Sequence, residues 1–385
     1  MSARKKVLID MHHLYVAQTG IGSYMKDLAK WVKSDAPKTH DYTLYPADIE
    51  KLLKPNYRRK PWVLFRVMAQ LELLLWKQLI IPIKVFFTKP DILFSPDYYS
   101  PVLPLKCKKV TVFYDTFFWD SPEHYGGLWL KYFKWIINKG LGKDGQILTI
   151  SDYSKIKLIN KLNIENSRVT SLHLPVNLER EEELKNDAWL QELGVSCNFF
   201  LHVGVFEKRK QLPFLVKSFA NWLDSSKEEF QLILVGKRAP NSRFDDYDEV
   251  QSLVEKLGLT GKVLFPGFIS NSQLDQLYAR AFSYILPSIN EGFGLPVLES
   301  FLRKCPLIIS SQGAIVEVAG SAALVFQMQD QESLIKKMNL IVSDEKLRSD
   351  LILKGEERLA LFTLQTYFDK FENYLSKVIM NDKNE

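Results

Sequence analysis

Two acidic residues flank a glycine-rich loop in the second half of the chain, at Glu291 and Glu299. The loop between them contains Gly292, Phe293, Gly294, Leu295 and Pro296. The glycines let a ligand approach the backbone closely, and Pro296 suits the first position of a helix, where its missing N–H loses nothing. A helix that begins there directs free N–H groups at an anion such as a diphosphate. Because the two carboxylates can accept hydrogen bonds from hydroxyl groups, the loop predicts a nucleotide-sugar site.

A second candidate position is the pair of cations Arg209 and Lys210, which follows the apolar run ending at Val203 and Gly204. Two positive charges after a strand end can neutralise a diphosphate leaving group. Because negative charge develops on that group, these cations would act mainly on the transition state. The alternatives are a solvated basic turn for the cations and, for the two glutamates, a helix-capping acid and a surface residue.

Length and composition set broad limits on the fold. The chain has 385 residues, 46% of them apolar, which is long for one core and predicts two domains. The widely spaced Cys107, Cys197 and Cys305 form no metal or redox motif and indicate reduced thiols. The first apolar run, residues 7–11, is too short for the core of a signal peptide. These features predict a cytoplasmic protein without a bound metal.

Basic residues are concentrated between positions 51 and 89, in a chain whose net charge is +6. They are Lys51, Lys54, Arg58, Arg59, Lys60, Arg66, Lys77, Lys84 and Lys89, against the single acid Glu72. Charged residues interrupt every window of the roughly 18 apolar residues that a spanning helix needs. The stretch is predicted either to lie on an anionic membrane, as a peripheral protein on the inner face, or to form core helices with solvated lysines. Nucleic-acid binding is disfavoured because no recognition motif accompanies the charge.

Periodicity identifies the elements that must position these residues. The run 7–11 is followed by a helix whose apolar residues have the i, i+4, i+7, i+8 spacing from Tyr24 onwards. Further apolar runs precede loops or helices in both halves, as in parallel sheets covered on both faces. They are 91–95, 110–114 and 146–150 in the first half, and 199–204, 231–235, 263–266, 282–286, 307–310 and 324–326 in the second. The predicted fold is α/β with two doubly wound halves.

A highly charged segment with little apolar content, residues 179–187, separates the two halves. The predicted domains are therefore residues 1–178, on the acceptor side, and residues 179–360, which bind the nucleotide sugar. Residues 361–385 are predicted to form a C-terminal helix that packs back on the first domain, with a frayed polar end.

The spacing of Glu291 and Glu299 around Gly-Phe-Gly-Leu-Pro resembles the paired-glutamate signature of retaining glycosyltransferases of family 4, within the glycosyl transferases group 1. Other segments resemble landmarks of that family, in the family's order. They are residues 20–24 (Gly-Ile-Gly-Ser-Tyr), 151–155 (Ser-Asp-Tyr-Ser-Lys), 203–212, 234–236, 266–268 and 313–319. The resemblance covers roughly residues 7–370. It implies the GT-B fold, which has two facing Rossmann-like doubly wound domains with a cleft between them.

The resemblance also implies roles for individual residues. Glu291 would contact hydroxyls of the donor sugar, and Glu299 the ribose. Arg209 and Lys210 would hold the diphosphate, and backbone atoms near Phe268 would contact the base, so uridine and guanosine are not distinguished. The other donor-binding residues that it implies are Gly20, Gly22, Gly204, Gly292, Phe293, Gly294 and Leu295. The glycine pair near residue 20 is also consistent with a simple tight turn.

The segment 112–118 departs from the family pattern. Tyr114 stands where many members have a histidine that contacts the donor sugar near the anomeric carbon, whereas Asp115 is retained. A tyrosine donates a hydrogen bond but does not carry a proton near neutral pH, since its reference pKa is about 10. Asp115 is then the candidate catalytic residue for the acceptor hydroxyl, or else a helix cap.

The resemblance implies a metal-independent transferase without a cofactor. It would move a hexose, such as mannose, glucose or an N-acetylhexosamine, from a nucleoside diphosphate sugar to a hydroxyl, with retention at the anomeric carbon. The acceptor would be a saccharide or lipid-linked saccharide in polysaccharide or glycolipid assembly. The alternatives are a non-hydrolysing nucleotide-sugar epimerase and a catalytically inactive partner subunit that binds sugar nucleotide. The ordered Arg-Lys and paired-glutamate set favours the transferase, and Tyr114 alone favours the inactive subunit.

Overall fold

The computed structural model describes residues 4–15, 20–48, 71–124, 126–176, 188–226, 228–239 and 241–380. The predicted domain limit at 178/179 and the basic residues between 51 and 66 lie outside these ranges. The chain divides into two compact units. The first unit comprises Met1–Pro175 and Leu364–Glu385, and the second comprises Val176–Thr363. The limits predicted for the domains stay a prediction.

Within the described ranges, the first unit contains a six-stranded parallel sheet with the order β2-β1-β3-β4-β5-β6. Its strands are β1 Lys6–Asp10, β2 Asp41–Tyr45, β3 Ile92–Ser95, β4 Lys108–Phe113, β5 Gln146–Thr149 and β6 Val169–Ser171. Its helices include Gly20–Lys33, Ile81–Thr88, Phe117–Asp120, Gly127–Leu141, Asp152–Leu162 and Leu364–Met380. The central strands are continuous apolar runs because helices cover both faces of the sheet.

The second unit has the same architecture, with the strand order β12-β11-β10-β7-β8-β9. Its strands are β7 Asn198–Val203, β8 Phe230–Val235, β9 Val263–Gly267, β10 Ser283–Leu286, β11 Leu307–Ser310 and β12 Leu324–Phe326. Its helices include Ala188–Glu192, Leu212–Ser225, Tyr247–Lys256, Asn271–Arg280, Leu295–Leu302, Ile315–Ala319, Gln331–Ser343 and Glu345–Leu359. The predicted α/β fold with two doubly wound parallel sheets is confirmed.

Each sheet has a switch point, where the chain turns from one side of the sheet to the other. It lies between β7 and β10 in the second unit, and between β1 and β3 in the first. Because crossovers between parallel strands are right-handed, the helices on the two sides of a switch point cover opposite faces. This leaves a crevice at the carboxyl ends of the two strands, where ligands of open α/β sheets bind. The loops that follow β1, β3, β7 and β10 are therefore the candidate site loops.

The C-terminal helix Leu364–Met380 packs on Gly20–Lys33 within the first unit. Phe368 stacks on Trp31 with the ring centroids 4.3 Å apart. This contact ties the end of the chain to the helix that follows β1.

The described part of the basic stretch, residues 71–89, is mainly a helix that contains a π-helical turn at Trp76–Ile80. Phe86 and Phe87 are exposed on its surface. The sequence analysis grouped Lys77 with the basic surface, but the structure buries it completely. Burial of its charge is tolerated because the ammonium group pairs with two carboxylates. None of the helices in the described ranges is long and apolar enough to cross a membrane.

Candidate active site

The loops after β7 and β10 meet at the switch point of the second sheet, because these two strands are neighbours. The Ile289 N–H donates to the Arg209 carbonyl oxygen at 2.9 Å. In return, Arg209 Nη1 donates to the Asn290 carbonyl oxygen at 3.3 Å, across a separation of 81 residues in the sequence. These hydrogen bonds hold the predicted cation pair beside the predicted glutamate loop.

Glu291 is the centre of an ion cluster at this junction. Its Oε2 accepts a hydrogen bond from Arg209 Nη1 at 3.1 Å, and its Oε1 accepts one from Lys210 Nζ. On the other side, Arg209 Nε donates to Glu207 Oε2 at 2.7 Å. The side chains of Glu291 and Lys210 are 11% and 7% exposed, so salt and water screen their attraction weakly. The structure thus brings together three residues that the sequence predicted separately.

The two glutamates of the loop have opposite electrostatic environments. Burial raises the pKa of Glu291, but the charges of Lys210 and Arg209 outweigh burial and lower this pKa to about 2. Burial is the largest influence on Glu299 and leaves its pKa raised. The Tyr278 hydroxyl donates to Glu299 Oε2 at 3.5 Å. Glu291 is therefore firmly ionised at neutral pH, whereas Glu299 accepts a proton more readily than an exposed glutamate.

Two glycines fix the backbone around Glu291. Gly313 has a φ of +80°, and a Cβ added there would lie 3.1 Å from the Glu291 amide nitrogen. Gly294 has a φ of +101°, and a Cβ there would lie 2.6 Å from Ile315 Cγ2. The helix Leu295–Leu302 begins directly after Gly294, with no side chain capping its first turn. Its first turn offers few N–H groups to an anion, because Pro296 has none and the Val297 N–H donates to the Gly294 carbonyl oxygen at 2.9 Å.

The other predicted loop residues differ in what they offer a ligand. Phe293 is buried and its ring packs 6.0 Å from the ring of Phe362, so only its backbone can face a donor. Gly292 and Leu295 are half-buried. This part of the predicted site is therefore mostly main chain.

Three adjacent strands end in glycine. Gly204 follows β7, Gly236 follows β8, and Gly267 is the last residue of β9, so these strand ends carry no side chain. The Gly236 N–H donates to the Gly267 carbonyl oxygen at 2.9 Å. A Cβ on Gly236 would lie only 1.7 Å from the Gly204 carbonyl oxygen. On Gly204, a Cβ would lie 3.5 Å from Lys210 Cε. Side chains are thus excluded here, and a ligand can approach the backbone beside Lys210.

Sequence reasoning missed His202, which lies at the end of β7 beneath the ion cluster. The side chain is fully buried, and its Nδ1 lies 2.9 Å from the Ile285 carbonyl oxygen. Burial lowers the pKa of His202 to about 4, so the ring is neutral at pH 7. Its Nε2 has no hydrogen-bond partner among the described residues. The signal in the sequence was a histidine inside an apolar strand, directly before the strand-end glycine.

Phe268 follows the end of β9 and is 74% exposed. The ammonium group of Lys237 lies 3.6 Å from the centre of its ring. An exposed ring next to bare backbone is a suitable surface for stacking a flat base, although the sequence argument placed base recognition on main-chain atoms.

The glycine pair predicted to form a loop has a different structure. Gly20 and Gly22 lie in the first turn of the helix Gly20–Lys33, and Gly22 is buried. The loop prediction is wrong at these positions because the helix already includes both glycines. Both residues belong to the first unit.

Asp115 caps a short helix in the first unit. Its Oδ1 accepts from the Phe117 N–H at 3.0 Å and from the Tyr98 hydroxyl at 3.1 Å. Tyr114 is buried, and its hydroxyl donates to the Pro96 carbonyl oxygen at 2.9 Å. Tyr114 therefore packs in the core, and Asp115 performs the capping role that the sequence left open.

A buried charge network occupies the switch point of the first sheet, and no sequence pattern predicted it. Lys77 Nζ lies 2.8 Å from Asp10 Oδ2 and 2.6 Å from Asp97 Oδ1. Asp10 Oδ1 also accepts from Trp76 Nε1 at 2.9 Å and from the His12 N–H at 3.1 Å. Burying three charges is costly, and the two ion pairs of Lys77 offset that cost, although Asp97 Oδ2 has no hydrogen-bond partner among the described residues.

Comparison with known proteins finds similarity in both sequence and structure. Residues 188–358 match the family Glycosyl transferases group 1. The chain is 26% identical over 271 residues to O-antigen chain mannosyltransferase B of Escherichia coli, which covers 69% of each chain. It is 29% identical over 203 residues to O-antigen chain mannosyltransferase RfbU of Salmonella typhimurium, and this aligned region covers 52% of each chain. The chain thus spans about half to two thirds of the length of these relatives.

Solved structures resemble the chain over nearly its whole length. Anabaena Alr3699/HepE in complex with UDP matches with a TM-score of 0.71 at 18% identity, over 97% of this chain and 100% of that one. WaaG, a glycosyltransferase involved in lipopolysaccharide biosynthesis, matches with a TM-score of 0.66 at 16% identity, over 96% and 99%. At such low identity the likeness shows the fold, and it confirms the predicted GT-B class.

Proposed function

We propose that this chain, which has the GT-B fold and matches Glycosyl transferases group 1 over residues 188–358, is a retaining hexosyltransferase. It takes a hexose from a nucleoside diphosphate sugar and transfers it to a hydroxyl of a saccharide or lipid-linked saccharide. The observation that carries the proposal is the pairing of Glu291 with Arg209 and Lys210 at the switch point of the second sheet.

The ion cluster supplies charge where the reaction needs it. The diphosphate of the donor replaces Glu291 as a partner of Arg209 and Lys210, and these cations stabilise the negative charge that develops on the leaving group. The released Glu291 carboxylate then accepts hydrogen bonds from hydroxyls of the hexose. Glu299, in the helix Leu295–Leu302 that follows the loop, contacts the ribose. Because these two cations provide the positive charge, the proposed reaction is metal-independent.

Retention of configuration at the anomeric carbon follows from the face on which the acceptor attacks. In the proposed mechanism the acceptor hydroxyl attacks on the face from which the diphosphate leaves, and a phosphate oxygen takes its proton. Asp115 is then unnecessary as a base, which agrees with the hydrogen bonds that its Oδ1 accepts from the Phe117 N–H and the Tyr98 hydroxyl. Digestion of the product by an anomer-specific glycosidase tests retention, and activity after treatment with EDTA tests metal independence.

We propose mannose as the donor hexose, in O-antigen or a related surface polysaccharide. Two similar proteins, from Escherichia coli and Salmonella typhimurium, are described as O-antigen chain mannosyltransferases. Neither the base nor the linkage follows from the side chains of the site, since the exposed Phe268 ring can stack on either base.

We further propose that the protein acts at the cytoplasmic face of the membrane, as a peripheral protein. The support is the helical stretch 71–89, where Ile83, Phe86 and Phe87 are exposed next to Lys84 and Lys89. Apolar and basic side chains on one surface favour the interface of an anionic bilayer.

Release of nucleoside diphosphate tests the function. Purified protein is incubated with GDP-mannose, UDP-glucose and UDP-N-acetylglucosamine, with and without saccharide acceptors. Arg209→Ala is expected to reduce release at least roughly 100-fold, because a charge that stabilises the transition state is lost. The matched control is Arg243→Ala, which removes an exposed arginine of the same unit and should leave the rate unchanged.

Other outcomes would replace the proposal. Formation of an epimeric nucleotide sugar would identify an epimerase. Tight donor binding without release, even with acceptors supplied, would identify an inactive partner subunit.

A further inference from the structure

The imidazole of His202 lies beside the ion cluster of the second unit, and we propose that it is a positioning residue for Lys210. When the diphosphate of the donor replaces Glu291, the Lys210 ammonium group donates a hydrogen bond to Nε2 of His202. The imidazole thereby holds the cation in place against the diphosphate. This inference rests on the proposed function, because it names the group that orients a cation of the same site.

The hydrogen bond of Nδ1 decides which ring nitrogen of His202 is an acceptor. Nδ1 lies 2.9 Å from the Ile285 carbonyl oxygen, which only accepts, so Nδ1 carries the proton. Because the ring is neutral at pH 7, Nε2 then has a lone pair and no proton. This nitrogen is buried and has no hydrogen-bond partner among the residues that the structure describes. A buried acceptor without a donor costs free energy, which a donor arriving in the nucleotide-bound state would recover.

The bare backbone of Gly204 leaves a space that His202 and Lys210 share. A Cβ on Gly204 would lie 3.3 Å from His202 Nε2, 3.5 Å from Lys210 Cε and 3.8 Å from Lys210 Nζ. The free nitrogen and the ammonium group therefore flank the position that a side chain of residue 204 would take. Because a lysine side chain is flexible, its ammonium group can cross this space without movement of the backbone. Glycine at this position thus keeps the path between the two groups open.

Lys210 needs a further partner once Glu291 is displaced. In the free protein its ammonium group donates to Glu291 Oε1, and the side chain is buried, so little water solvates the charge. An ammonium group has three N–H donors. In the nucleotide-bound state a diphosphate oxygen takes one of them, and Nε2 of His202 takes a second. Two fixed partners keep the positive charge directed at the leaving group, where it stabilises the transition state.

The charges of the cluster act on the imidazole ring, as expected for neighbouring groups. Burial lowers the pKa of His202 most, the hydrogen bond to Ile285 raises it, Lys210 lowers it and Glu291 raises it. A protonated ring would repel Lys210 and would have no lone pair to offer. The neutral ring adds no charge and presents an acceptor, so burial of His202 suits a residue that holds a cation.

Nitrogen-15 NMR of the histidines tests the inference on the wild-type protein, with GDP and UDP as the probes. At saturating nucleotide the Nε2 resonance of His202 should move upfield, because an unprotonated ring nitrogen then accepts a hydrogen bond, while the Nδ1 resonance stays in place. The remaining histidines all belong to the first unit and serve as references. In Gly204→Ala the added Cβ fills the shared space, and the Nε2 resonance should not move. Gly127→Ala, where an added Cβ meets nothing within 4 Å, is the matched control.

Two substitutions separate the roles of the ring nitrogens. His202→Asn keeps a donor for the Ile285 carbonyl oxygen but has no atom at the Nε2 position, whereas the amide of His202→Gln reaches that position with an oxygen. We expect the affinity for the nucleotide, measured by calorimetry, to fall about tenfold in His202→Asn and to stay within about threefold of the wild type in His202→Gln. A residue that only ties β7 to β10 would give the reverse order.

These measurements distinguish failure of the inference from failure of the proposed function, because they need no transfer reaction. Nucleotide binding with an unmoved Nε2 resonance would overturn the role of His202 and leave the transferase function intact. The reverse order of affinities, or wild-type affinity in both variants, would do the same. Absence of binding for both GDP and UDP would instead overturn the donor site on which the inference and the proposed function both rest.

Discussion

At the scale of single residues, the active site depends on one carboxylate that holds two cations. Glu291 accepts from Arg209 and from Lys210, and burial on its own would favour its neutral form. The two cations reverse that preference, and in the proposed mechanism they are already in position to bind a diphosphate. The same residue therefore stabilises the free protein and, in the proposed mechanism, also binds the donor.

The depressed pKa of Glu291 makes stability depend on pH. Because this pKa falls from 4.5 to about 2 on folding, the stabilisation is complete above pH 4.5 and is lost as the pH decreases from 4.5 to 2. Glu291→Gln should lower the free energy of unfolding by roughly 3 kcal/mol at pH 7 and remove that pH dependence. Urea unfolding between pH 2 and 7 measures both effects. Glu255→Gln, at an exposed helical position, is the control, and identical pH profiles for Glu291→Gln and the wild type would contradict the prediction.

His202 should change the stability in the same direction as Glu291, but in a higher pH range. Its pKa is lowered by burial from 6.5 to about 4, so the unfolded chain binds a proton that the folded chain excludes. Stability contributed by the neutral ring is therefore present above pH 6.5 and is lost as the pH falls from 6.5 to 4. His202→Phe should flatten the pH dependence of unfolding in this range. NMR titration of the wild-type imidazole checks the cause, and a midpoint near 6.5 would rule it out.

At the scale of elements, the strand ends of the second sheet require glycine for reasons of space. Gly236 approaches the Gly204 carbonyl oxygen too closely for any side chain, and the loops of the site are built on this contact.

The first unit depends in a comparable way on its last element, the C-terminal helix. Leu364–Met380 covers one face of Gly20–Lys33 and supplies aromatic rings to the core.

Gly236→Ala should therefore cost far more than an ordinary glycine replacement. Gly236 has a φ of +152° and its added Cβ would lie 1.7 Å from a backbone oxygen, so the strand ends must move. Gly258 also has a positive φ, of +67°, but nothing within 4 Å of its added Cβ. We expect Gly258→Ala to cost about 1–2 kcal/mol and Gly236→Ala at least about 4 kcal/mol, measured by urea unfolding. Equal costs for the two variants would show that the contact is not limiting.

The terminal helix should be essential to the first unit. Phe371 is fully buried, with its ring centroid 5.0 Å from that of Phe94 in β3. Phe371→Ala should destabilise the first unit by about 3–5 kcal/mol because it leaves a cavity. Phe87→Ala removes a ring that is 75% exposed and should cost under about 0.5 kcal/mol. Chemical unfolding followed by tryptophan fluorescence compares them.

At the scale of the whole molecule, charge and apolar surface together suggest where the protein works. The chain carries a net charge of +6, and the helical stretch 71–89 exposes apolar rings beside lysines. An anionic surface would attract the charge and take up the rings, which would bring the protein close to lipid-borne acceptors.

Vesicle flotation tests this membrane attachment. Wild-type protein should float with vesicles of phosphatidylglycerol and phosphatidylcholine but much less with phosphatidylcholine alone. The double change Phe86→Ser and Phe87→Ser should reduce the bound fraction at least about tenfold, because two apolar rings no longer enter the interface. Leu353→Ser, at an exposed position of the second unit, should bind as the wild type does. Undiminished flotation of the double variant would assign membrane binding to another surface.

The sequence by itself determined all the strands of the second sheet, four strands of the first (β2 and β6 were not predicted), the α/β class, and the loop that contains Glu291 and Gly294. These features are local: apolar runs, glycine positions and a proline after a loop are read from neighbouring residues. Only the tertiary structure decided which side chains meet. Glu291 joins Arg209 and Lys210, and Lys77 leaves the surface to pair with Asp10, because strand order makes neighbours of β7 and β10 and of β1 and β3. Strand order follows from long-range packing and the direction of crossovers, which no local pattern records.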